Sequence, residues 1–134
     1  MKPIAAALSL ALFAAIPAVR AEDTPLGSQM ESLNDAYKAL RKETDPAKGA
    51  AHAREAQQAV LKGLAEMPEM LSKMAAGPEK AKAAAAYRKM MGQLYVLLCD
   101  VETAFLEGKT EEVAKHVESI KELKKAGHEK FIEE

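Results

Sequence analysis

The chain has 134 residues, of which 49% are apolar and 29% charged, and its 19 Lys and Arg against 20 Asp and Glu give a net charge of −1. So balanced a charge lacks the basic surplus that draws nucleic acid or an anionic membrane, and neither is the expected partner. The single cysteine, Cys99, excludes an internal disulfide.

The first 21 residues read as a secretory signal peptide. Lys2 supplies a positive start, Ile4 to Ile16 form an apolar run broken only by Ser9, and Pro17 precedes the small-residue cleavage pattern Val19-Arg20-Ala21. The run falls short of the roughly 20 apolar residues of a comfortable membrane span, and no later segment approaches that length. The mature chain is expected to begin at Glu22, as an exported protein without a membrane-inserted segment. Losing Lys2 and Arg20 takes the basic residues from 19 to 17 against 20 acidic ones. The remaining chain suits one domain, residues 22–134, with one modest core.

From Thr24 onward Ala, Leu, Lys, Glu, Gln and Met dominate, and no segment alternates with period two, which predicts an all-helical protein. Thr24-Pro25 offers an N-cap and a proline at the first helical position, and Met30, Leu33, Tyr37 and Leu40 recur at helical spacing, predicting a first helix over 25–42. Asp45-Pro46 repeats the start signal. Ala53, Val60, Leu64 and Met67 share one face of a second helix until Pro68 ends or kinks it. Residues 69–75 read as a helical turn or a loop.

Gly77-Pro78-Glu79 opens a third and longest helix, striped by Tyr87, Met91, Leu94, Leu98, Val101 and Phe105 and ended by Gly108. Thr110 is the expected cap of a fourth helix, in which Glu111 and Glu112 complement the positive end and Val113, Val117, Ile120, Gly127 and Phe131 run down one side. Short connections make consecutive helices antiparallel, and the predicted architecture is an up-down-up-down four-helix bundle.

In that bundle the first and last helices are antiparallel neighbours. Met30 lies about five residues from the start of one and His128 about five from the end of the other, so at about 1.5 Å per residue they fall at similar height. At about 100° per residue, His128 stands roughly 20° from Val117, which borders the buried stripe rather than facing water. A thioether and an imidazole are the axial pair of a low-spin electron-transfer haem. Taken singly each has a plainer reading, Met30 as core filling and His128 as a cation complementing a helix C-terminus. His52 and His116 have no second ligand at i+3 or i+4 and read as surface histidines, and Cys99 as a buried, inert thiol.

The segment Met30 to Asp35, the turn Glu107-Gly108-Lys109 and the ending His128 to Phe131 resemble the periplasmic cytochromes b562. The similarity spans essentially the mature chain and is specific at its two ends. It implies a periplasmic electron-transport protein rather than an enzyme; a monomer is the expected state, though the sequence leaves monomer and weak dimer open. It further implies one non-covalent haem b per chain, with Met30 and His128 as axial ligands of the iron. The absence of a CxxCH motif agrees with non-covalent binding.

By the same resemblance Lys124, one turn before the histidine, lies beside the haem edge, where a propionate would partner its charge. Tyr87 and Met91 take the places of the residues packed on the porphyrin. Gly127 stands where the family commonly has an aromatic, opening one wall of the pocket. The competing reading is a haem-free helical bundle of the exported compartment, acting as a binding or adaptor module. The redox partner is not legible. No Gly-rich phosphate loop and no nucleophile with a recognisable base supports a catalytic alternative.

Overall fold

The computed structural model describes residues 24–132, so the predicted signal peptide lies outside the described residues. Among them are five helices: α1 (Pro25–Lys42), α2 (Pro46–Leu64), a four-residue α3 (Glu69–Ser72), α4 (Pro78–Leu106) and α5 (Thr110–Phe131). The four long helices form the expected antiparallel bundle, and α3 is a single turn in the α2–α4 connection.

The helix starts follow their local chemistry. Thr24 Oγ1 accepts from the Gly27 amide at 2.9 Å and Asp45 Oδ1 from the Lys48 amide at 2.9 Å, each followed by proline at the first helical position. Gly77 enters α4 at φ 151°, a conformation that only glycine adopts freely. Two expectations are corrected. Thr110 is the first residue of α5 rather than its cap: Gly108 turns the chain at φ 69°, and the Lys109 carbonyl takes the first amides, those of Glu112 and Val113, at 3.1 Å each. The second helix stops at Leu64, because Pro68 disfavours helical geometry at Met67, which is left 41% exposed.

Packing is sequential: α1 on α2, α2 on α4, α4 on α5, while the backbones of α1 and α5 make no extensive contact. The predicted α4 stripe is the spine of the core, with Tyr87, Met91, Leu94, Leu98, Val101 and Phe105 all buried. Against it α2 presents small residues, Ala50, Ala53, Ala56 and Val60, which let the two helices approach closely. At Gly49 a β-carbon would run into the Phe105 ring, so glycine is required for that approach. The buried polar side chain Gln57 is satisfied by the Leu98 carbonyl at 3.2 Å and Glu102 at 2.8 Å.

Candidate functional site

The seam between α1 and α5 is joined by side chains. Lys124 Nζ donates to Asn34 Oδ1 at 2.8 Å and stands 5.5 Å from the centre of the Tyr37 ring. The Arg41 guanidinium stands 5.5 Å from the same ring. These partners explain a lysine on the inner side of α5: its charge is met by an amide oxygen and an aromatic face. They also fix the helix register. Met30 precedes Asn34 by one turn and His128 follows Lys124 by one turn, so in antiparallel helices both steps, about 6 Å each, lead toward the same end of the seam.

At that end Met30 rests on α2. Its ε-methyl lies 3.1 Å from where a β-carbon of Gly63 would stand, beside the Met91 ε-methyl at 3.0 Å and Leu26 Cδ1 at 3.5 Å. Tyr87 donates its hydroxyl to the Gly63 carbonyl at 3.0 Å, and its ring meets Phe131 edge-on, with centroids 5.6 Å apart and planes at 78°. Met30, Tyr87 and Met91 thus meet in one apolar cluster, closed from α5 by Phe131.

His128 is outside that cluster. It is exposed, on a groove of about 760 Å³ that it lines with Lys121, Lys124, Lys125, Glu129 and Ile132. The expectation that it borders the buried stripe is corrected here. Gly127 turns to α4, where Met90 fills the space a β-carbon would take, and the next residue is carried about 100° round to the groove. The wall expected to be open at Gly127 is therefore occupied by Met90. His128 and Lys124 share the groove, and Met30 approaches the same end of the seam from α1.

Partial burial, and then the positive charge of Lys124, hold the His128 imidazole below the usual histidine range, which favours the neutral form that a metal ligand requires. Burial, and then Glu66, push the Tyr87 phenol up to about 12, so it remains a hydrogen-bond donor. The Tyr37 hydroxyl is buried without a hydrogen-bond partner among the described residues. Burial raises the Cys99 thiol, which is only partly covered, and this leaves it a poor nucleophile.

Among the described residues no group of three or more His, Cys, Asp and Glu is gathered to hold a bare metal ion. The donors at this end of the seam are a thioether and an imidazole. Two such donors suit a metal whose other positions a macrocycle fills; Met91, Tyr87 and Phe131 lie on the side of the thioether, and Lys124 lies beside the imidazole. The donor set suits haem, with the thioether among apolar side chains and the imidazole in the groove beside them. Two contributors escaped sequence reasoning. Asn34, a half-buried amide one turn from Met30, was detectable as a polar break in an apolar stripe. Gly63 carried no signal, since its neighbours are set by packing between helices.

No helix among the described residues is long and apolar enough to cross a membrane. In comparison with known families, the family described as Cytochrome b562 matches residues 25–131. Comparison with curated proteins gives no match.

Proposed function

The chain belongs to the cytochrome b562 family, haem-binding helical bundles of the electron-carrier type, and from that premise we propose that it is a monomeric periplasmic electron carrier holding one non-covalent haem b between Met30 and His128. The observation that carries the ligand assignment is the Lys124–Asn34 bond, which sets α1 against α5 so that the thioether and the imidazole approach the same end of the seam.

Bound there, haem b supplies a one-electron ferric–ferrous couple, with a thioether ligand favouring the ferrous state relative to a second imidazole. The protein's own groups do the rest. Met30 and His128 would hold the group through its iron, and with both of those ligands supplied by the protein the chemistry would be outer-sphere electron transfer rather than oxygen or peroxide activation. The depressed basicity of His128 keeps its lone pair available. Buried Met91 and Tyr87 would shield the methionine side from water, and the Lys124 ammonium, beside His128, would be available to a propionate. The signal-like residues 1–21 support export to the periplasm.

The test is hemin titration of the mature protein beside Met30→Ala and His128→Ala. Saturable one-to-one uptake with a six-coordinate ferrous spectrum, lost in either variant, supports the assignment. A folded protein that takes up no hemin returns the haem-free binding or adaptor reading.

A further inference from the structure

We propose that Gly63, a residue of α2 that supplies no ligand atom, is a positioning residue for the Met30 thioether; this rests on the haem reading above. Methionine has three rotatable bonds, so a thioether on one helix can present its sulfur in many directions unless its terminal methyl is held. In this protein the methyl has a place. It sits 3.1 Å from the point a Gly63 β-carbon would occupy, a spacing tighter than ordinary van der Waals contact, and shares the niche with the Met91 methyl at 3.0 Å. With no side chain at Gly63, both methyls rest there undisplaced.

The niche is also fastened. Gly63 is the next-to-last residue of α2, where carbonyls lack helical partners, and its oxygen accepts from the Glu66 amide at 3.1 Å and from the Tyr87 hydroxyl at 3.0 Å. Tyr87 is buried and its phenol stays protonated, so the end of α2 is tied to α4 beside the methionine. The sulfur of Met30 then has one substituent anchored on α1 and the other parked against α2. Anchoring both restricts the directions its lone pairs can take, which is how an outer residue fixes the orientation of a ligand.

A β-carbon at Gly63 must displace one or both methyls by a few tenths of an ångström while improving local helix propensity. Gly92, on α4 with nothing within 4 Å of its would-be β-carbon, is the matched control. The experiment reads ¹³C-methyl methionine NMR of the haem-free protein, then hemin affinity and the ferrous spectrum of the loaded one, for wild type, Gly63→Ala and Gly92→Ala. Gly63→Ala should move the Met30 methyl resonance and weaken hemin binding about tenfold or more, with loss of six-coordinate character, as outer-residue changes do at metal sites. Gly92→Ala should do neither.

Should Gly63→Ala fail to fold, Tyr87→Phe, which adds no atom, releases the Gly63 carbonyl and should move the same methyl resonance. The proposal is overturned if folded Gly63→Ala keeps its Met30 resonance or binds hemin within about twofold of Gly92→Ala. It is overturned equally if Gly63→Ala does not fold and Tyr87→Phe leaves the resonance in place. Wild-type protein that takes up no hemin defeats the haem reading itself, a result distinct from a wild type that binds beside an unaffected Gly63→Ala.

Discussion

Lys124 on α5 donates a 2.8 Å hydrogen bond to Asn34 on α1 across ninety residues of sequence, and this bond joins two helices whose backbones make no extensive contact. The bond sets their register, and each candidate ligand lies one turn beyond it. Replacing Asn34 with Ala should cost about 1 kcal/mol in chemical denaturation. Amide exchange should rise selectively in the last two turns of α5, where little else ties that helix to α1. Unchanged exchange there would show that the bond does not hold the seam.

The α2–α4 contact depends on the absence of a side chain at Gly49. Gly49→Ala should destabilise the fold by about 1 to 3 kcal/mol through overpacking on Phe105, despite alanine's better helix propensity. Thermal unfolding beside Gly92→Ala separates the two effects: propensity alone would make both variants more stable.

Leu98 is fully buried on the α4 spine. Leu98→Ala should cost about 2 to 5 kcal/mol, read from the urea midpoint, with hemin affinity reduced only through the unfolded fraction because Leu98 is outside the Gly63 cluster. A large affinity loss in fully folded protein would place Leu98 in the site.

Tyr87 gives the fold an alkaline limit. Its phenol titrates near 12 when folded against 10.0 in the ordinary case, so the protonated form is favoured by folding. That stabilisation is complete below pH 10 and is lost as pH rises through 12. Stability measured across that window should fall in wild type and fall less steeply in Tyr87→Phe. Equal slopes would mean that another group carries the loss.

His128 has the opposite sign. Its folded value is lowered from 6.5, so folding favours the neutral imidazole; stability is greatest above 6.5 and declines as pH falls below it toward the folded value. NMR titration of the haem-free protein should place its midpoint below 6.5. Lys124→Gln should bring it only part of the way back, because burial is the larger cause. With haem bound, protonation competes with ligation, so acid should release the histidine. A spectrum unchanged to about pH 3 would contradict His128 as ligand.

The bundle was legible because its rules are local. Thr24-Pro25, Asp45-Pro46 and Gly77-Pro78 mark the helix starts by capping chemistry and fixed φ, and the Tyr87 to Phe105 stripe marks the core by period. The Thr110 cap was missed because a cap depends on where the preceding turn leaves the chain, and Gly108 turns it one residue early. Period alone put Tyr87 and Met91 in the buried stripe and Met30 on the inner side of α1. The orientation of His128 was not legible that way, since a rotation of about 20° from Val117 decides between groove and stripe, within the tolerance of an ideal helix. Gly63, Met90 against Gly127, and Asn34 against Lys124 are relations between helices, which no single-helix pattern encodes.

The most direct test of the central claim is the absorption spectrum of the hemin-titrated mature protein, oxidised and reduced, beside Met30→Ala and His128→Ala. Met/His ligation predicts saturation at one haem per chain and a sharp six-coordinate ferrous spectrum that each substitution abolishes. A folded protein with no saturable uptake, or a six-coordinate spectrum that survives both substitutions, would contradict it.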